Sequence, residues 1–403
     1  MGTGYLKVAT TSANGNLPVQ ANIIISLEDQ ILHDIHTNKR GITEKVPLEA
    51  PPKELALDPD YTGIPYSTYS VRAQADGFAT QIIHGVRIFD TIVSILPINM
   101  TTDWENDCDE YFIPTHKLIE PTLPEAENPA GLPLHEEAII PGFVNINSKQ
   151  VPFIDYIQKI ASNTIYPTWP PAAIEANIYA IITQALHKLD EQSFIEGGQT
   201  HDNIAHMVSS IFNRYIQHEG NPFFPVFSDG RKFTCPGLWQ WGTVALAERG
   251  HNALEILRHY YPGNVEIVET NNIDGIAPFP GYSLQEGMKV NYVQLIQTML
   301  NNIRRFFPDI PEITSVDGSF GPDTTIAVNA FQRIFMPEIE TGIVDKNTWY
   351  RISIIHQSYN QQDNVSSNEK LLAKMTKEHI NTSQLLTMFM LSQMYNRHAG
   401  CYI

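Results

Sequence analysis

The sharpest constraint on this 403-residue chain is a stretch that cannot build a core. Asp103, Glu105, Asp107, Asp109, Glu110, Glu120, Glu125, Glu127, Glu136 and Glu137 are opposed over that run by Lys117 alone. Pro114, Pro121, Pro124, Pro129 and Pro133 break any helix within it. Like charges repel and proline withholds a backbone donor, so residues 101–150 are expected to form an extended linker or a strap over a neighbour. Everything else must therefore fold as blocks on either side, and a chain of this length is expected to hold more than one domain.

Before the break, residues 1–100 read as an all-β sandwich. "YLKVAT", "ANIIISL", "STYSVRAQ" and "VSILPI" alternate or are β-branched, and turn residues separate them. Antiparallel pairing is the expectation for strands so closely spaced. After the break, residues 151–270 carry helical periods interrupted by Gly-rich loops, which suggests an α+β domain. Ile154, Ile157, Ile160 and Ala161 share one face, and Pro170 and Pro171 suit a helix entry. "HDNIAHMVSSIFNRYI" predicts a third helix with Ile204, Val208, Ile211, Phe212 and Tyr215 on one side. Residues 280–358 predict a compact all-α three-helix unit. Ser366 and Glu369 have capping-box spacing at the head of a C-terminal helix within 366–403, whose apolar run is too short for a bilayer and suits a protein partner.

Bulk composition narrows the function. A net charge of −18 argues against nucleic acid as a partner, whereas sugar binding through stacking and neutral hydrogen bonds is unaffected. Cys108, Cys235 and Cys401 offer neither a disulfide framework nor a zinc site, and His201 and His206 miss the spacing that puts two ligands on one helix face. No metal or cofactor is expected. The N-terminus lacks a basic start followed by an apolar run, so no signal peptide is expected, and the compartment is left open.

The segment from Gly318 through Phe320, Gly321, Thr324, Ala327, Val328, Phe331 and Gln332, followed by Gly342, Thr348 and Trp349, resembles the peptidoglycan-binding domain 1 family over residues 281–356. That resemblance implies glycan strands or stem peptides of the bacterial wall as the ligand, with Asp317, Phe320, Thr324, Gln332 and Trp349 as candidate site residues. Much of the motif also reads as fold, since its glycines permit turns and its apolar positions pack.

Residues 151–270 resemble the catalytic domain of stage II sporulation protein D, a lytic transglycosylase. The likeness rests on "FIDYIQKIASNTIYPTWPPAAIEANIYA" and on Gly237, Gln240, Trp241, Gly242, Ala247, Gly250, Ile256, Leu257, Tyr260, Tyr261 and Gly263. The order of sandwich, this domain and binding domain is similar to that of spore cortex-lytic enzymes. Lytic cleavage needs one carboxyl with a raised pKa to act as acid and then base. The family's Glu lies five residues before the Trp of "WP", and counting back from Trp169 reaches Thr164, which cannot serve. Three readings follow: a domain that has lost catalysis and binds or scaffolds, an active lytic transglycosylase with a relocated acid such as Glu191 or Glu196, or a wall-binding component of a larger wall-piercing assembly. Trp169, Trp239, Gln240 and Trp241 are the candidate glycan contacts.

Overall fold

The computed structural model describes residues 1–12, 17–28, 30–102, 108–119, 138–147, 149–190, 194–195, 197–218, 221–222, 227–228, 237–261, 263–336 and 339–359. Residues 1–354 form one compact unit, and a second begins at Ile355. The expected C-terminal helix within 366–403 lies outside the described residues.

The chain opens with strands β1 (Gly2–Ser12), β2 (Asn22–Leu27), β3 (Gln30–His36), β4 (Val46–Ala50), β5 (Ser67–Gln74), β6 (Thr80–Ile88) and β7 (Val93–Met100). Alternation sets their faces: Val46, Leu48 and Ala50 of β4 point inward while Pro47 and Glu49 point out. Two sheets result, and Leu6, Val8, Ile23, Ile25, Val71, Ala73, Val86 and Leu96 fill one shared core between them. The pairing differs from the antiparallel expectation. β1 lies antiparallel to β4 but parallel to β7, over Tyr5–Ser12 against Val93–Met100. Alternation fixes which face a residue occupies, not which strand lies beside it.

Both sheets also recruit strands from beyond residue 100. β8 (Cys108–Phe112) adds to the edge of β6 in parallel, so this part of the acidic stretch is an ordered edge strand rather than a free linker. Its charges find partners there. Asp109 accepts hydrogen bonds from Gln81 and Thr101, each at 2.8 Å, and Glu110 meets His84 at 2.7 Å. The hairpin of β9 (Phe143–Ile146) and β10 (Lys149–Pro152) then leads into the helices.

Helix α1 (Phe153–Thr164) buries its expected stripe, and α2 (Pro171–His187) starts as its sequence suggests, with a proline in its first turn. α2 is buried along most of its length, and Asn177 satisfies its amide nitrogen against Ala173 O and Thr243 Oγ1. β11 (Thr200–His201) reaches back to pair with β7. α3 (Asp202–Ile211) ends sooner than periodicity predicts, and Tyr215 belongs to β12 (Arg214–His218). The chain continues through the two-residue strands β13 (Asn221–Pro222), β14 (Phe227–Ser228) and β15 (Leu238–Trp239). α4 (Gln240–Glu248) and α5 (Ala253–Tyr260) follow, and β16 (Val265–Glu269) pairs with β12, placing Tyr215 opposite Val268. Pairing across that sheet overrides the helical pattern of residues 202–216. Finally α6 (Asn291–Arg304), α7 (Pro322–Phe335) and a helix starting at 346 enclose a small core of their own.

Candidate functional site

The unit around α6 and α7 is held by two buried glutamines. Gln297 donates to Ser319 O and Thr324 Oγ1 and accepts from Gly318 N at 3.0 Å. Gln332 donates to Ile343 O at 2.9 Å and to the hydroxyls of Thr341 and Thr348, while accepting from the backbone of Thr341 and Gly342. Gly342 turns there with φ +65°, a conformation side-chain-bearing residues rarely adopt. Trp349 is fully enclosed and donates its indole N–H to Ala277 O at 2.9 Å.

This arrangement corrects the role expected of several motif residues. Phe320, Thr324, Gln332 and Trp349 are at most 2% exposed, so they build the fold and do not meet a ligand. Asp317 alone of the five lies open, and it accepts the Ser319 backbone N–H at 2.8 Å, which holds its carboxyl below the usual carboxylate range. The accessible aromatic surface comes from Tyr282 and Tyr292, 42% and 41% exposed, with ring centroids 6.4 Å apart. Tyr292 packs by its edge on the buried Trp349 at 5.8 Å, so its orientation is set from beneath. Sequence reasoning missed this pair because neither tyrosine belongs to the motif.

Thr164 faces the protein interior. Thr164 is 3% exposed, its hydroxyl donates to Ile160 O at 2.8 Å, and its carbonyl accepts from Gln240 Nε2 at 3.0 Å. The Gln240 carbonyl oxygen accepts from Ile119 N, so its amide is spent within the protein and is not a glycan contact. Trp169 is likewise buried and donates to Ala56 O at 2.8 Å, in the 3-10 turn Lys53–Leu57. The "YPTW" segment is thus seated against the N-terminal sheets: Tyr166 stacks on His116 at 4.3 Å, and Trp241 lies 5.2 Å from Trp169. Trp239 and Trp241 are half-buried, which leaves part of each ring accessible. Glu191 and Glu196 lie outside the described residues.

Behind that segment lies a polar cluster that no sequence motif marks. Arg87 of β6 and His201 of β11 are buried, and the half-buried His116 of the segment after β8 has both ring nitrogens enclosed. Arg87 donates to Asn163 Oδ1 at 2.5 Å. Burial lowers the Arg87 pKa to about 10, with Tyr66 and Tyr166 acting in the opposite sense. Burial and then the Arg87 charge push His116 down to about 3, against a weaker pull from the Ile165 carbonyl. His201 is held well below its usual value by burial, Arg87 and His116. Tyr166 is pushed up to about 12, first by burial and then by Tyr66. Elsewhere a cleft of about 410 Å³ opens beside Asn99, Asp155, Lys159 and Arg351, with Arg351 and Asp155 paired at 2.9 Å. Among the described residues no group of three or more His, Cys, Asp or Glu side chains is arranged to hold a metal. None of the described helices is long and apolar enough to cross a membrane.

Residues 289–352 match the family model of a peptidoglycan binding domain. No curated protein and no solved structure matches the chain. That match supports peptidoglycan as a partner of this unit.

Proposed function

We propose that this chain is a non-catalytic wall-binding protein, in which residues 280–358 hold peptidoglycan and residues 151–270 form a transglycosylase-like part that no longer cleaves it. The match of residues 289–352 to a peptidoglycan binding domain carries the binding half of the reading. The open Tyr282–Tyr292 pair supplies a surface on which sugar rings can stack. Loss of catalysis is supported by the surroundings of Thr164. A general acid must reach the leaving oxygen within hydrogen-bond distance, and position 164 is enclosed by the protein's own hydrogen bonds.

The test is sedimentation of the purified full chain with bacterial sacculi, followed by mass spectrometry of the soluble fraction. Saturable co-sedimentation without anhydromuramyl products is expected, and Thr164→Glu is expected to release none. Failure to sediment would overturn the binding reading. Anhydromuramyl products that vanish in Glu191→Gln or Glu196→Gln would instead establish the active lytic transglycosylase with a relocated acid.

Membership of a larger wall-piercing assembly is a second reading, favoured by β3. This strand ends its sheet, and Ile31 and Leu32 are 61% and 38% exposed, an edge open to pairing with another chain. Analytical ultracentrifugation in which assembly is lost with Ile31→Lys would support it, and a monomer at all concentrations would count against it.

A further inference from the structure

Arg87 poses a problem in elementary electrostatics. Its side chain is 1% exposed, yet among the described residues no carboxylate figures in the groups acting on its charge. Among the described residues a single neutral partner, Asn163 Oδ1, takes a bond from Nη2, while Nε and Nη1 have none. Burying a charge without a counter-charge is costly, and leaving its N–H donors unpaired adds to that cost. The same layer holds a further atom without a partner among the described residues, Nε2 of His201, beside the His116 ring, on which the Ile165 carbonyl pulls weakly. Groups this deeply buried are normally paired, so several together indicate an occupant.

The chemistry of the lining selects its charge. A cation is excluded beside a guanidinium that keeps its proton. An acceptor of negative charge is favoured, because the unpaired atoms of Arg87 are all donors. His201 can join them. Ser94 Oγ lies 3.2 Å from His201 Nδ1 and 3.0 Å from Arg87 O, and that carbonyl already receives Gln199 Nε2 at 2.7 Å. Ser94 donates to Arg87 O, and in the tautomer that carries its proton on Nε2 the His201 ring adds a donor. The surroundings limit size: Phe89 lies 5.0 Å from His201 and 6.2 Å from His116, and Tyr166 stacks on His116.

We propose that Arg87, His116 and His201 form a buried site for one small inorganic anion of halide size. The ion neutralises the guanidinium and ties together β6, the segment following β8 and β11, so it is a structural ligand taken up on folding.

The experiment is thermal unfolding of the full chain in chloride-free fluoride buffer, titrated with sodium chloride or bromide at constant ionic strength. A saturable rise in Tm of roughly 3–5 °C at about a hundredfold excess over Kd is expected. Arg87→Met should abolish that dependence. A change that is linear in salt and identical in Arg87→Met would overturn the proposal. Because the variant may fold poorly in any buffer, chloride-35 line broadening and bromide anomalous scattering are measured on the unmodified chain. Saturable broadening with an anomalous peak beside Arg87 supports the site. Density there without an anomalous peak identifies a water and overturns it.

Discussion

Acidification should destabilise this protein through His116, and the size of the effect can be worked from its surroundings. Both ring nitrogens are enclosed, and the ring stacks on Tyr166 and faces Arg87, Tyr66, Phe89 and His201. Its folded-state pKa is lowered from 6.5 to about 3, so the folded protein leaves it neutral while the unfolded chain protonates it through the intervening range. The unfolded state then binds the extra proton, and stability must fall as pH falls. Between about pH 7 and about pH 5 this one imidazole removes about 2 kcal/mol, and the whole window down to its folded pKa is worth about 5 kcal/mol.

His116→Phe isolates the term, because phenylalanine preserves the ring stack and cannot titrate. The change gives up only the weak pull of the Ile165 carbonyl on the ring, and the backbone N–H to Tyr66 Oη at 3.0 Å survives. Urea unfolding at fixed chloride, read by tryptophan fluorescence, is the assay, with Trp169 and Trp241 as reporters beside Tyr166. At about pH 7 the variant should lie within about 1 kcal/mol of wild type. At about pH 5 it should be the more stable by about 2 kcal/mol. His201 remains, so some slope persists. Parallel pH profiles for the two proteins would refute the assignment, since the carboxylates that dominate acid unfolding are common to both.

Tyr292→Ala should weaken sacculus binding about tenfold, as should Tyr282→Ala, with little change in Tm because both rings are open; an unchanged sedimentation isotherm would refute the stacking surface. Gln332→Ala strips the loop at 339–349 of five hydrogen bonds, two of them from backbone N–H groups, and should cost about 2–4 kcal/mol, seen as faster hydrogen exchange in that loop. Gly242→Ala drives a methyl into the Tyr260 hydroxyl and the Trp239 ring and should cost about 1–3 kcal/mol in urea unfolding.

The helices were the most legible part of the sequence, since α1 buries the face its periodicity marks and α2 opens at its proline. Where the reading failed, long-range pairing had decided the outcome. Tyr215 continues the apolar spacing of α3 but bonds across to β16, and β1 takes β7 as a parallel neighbour that no local pattern announces. The acidic stretch misled for a related reason. Asp109 and Glu110 look like repelling linker charges until Gln81, Thr101 and His84 are seen to receive them from β6 and the segment after β7.

The candidate site was harder to read because polar and aromatic residues serve two purposes with one chemistry. Gln332 and Gln240 have the amides expected of sugar contacts, yet each spends both ends on protein backbone or hydroxyls, as a buried amide must. Arg87, His116 and His201 come from three separate elements, so no spacing could have joined them. The sharpest case is a pair of rings 5.8 Å apart: Trp349, in the motif and completely enclosed, and Tyr292, outside it and 41% exposed. A motif selected by packing marks the first, and burial there stabilises the unit without offering a ligand anything to touch. The second is free to meet a ligand because the first holds it in place, so wall recognition in this unit should depend on motif and non-motif residues in series: loss of Trp349 removes the support, and loss of Tyr292 removes the surface.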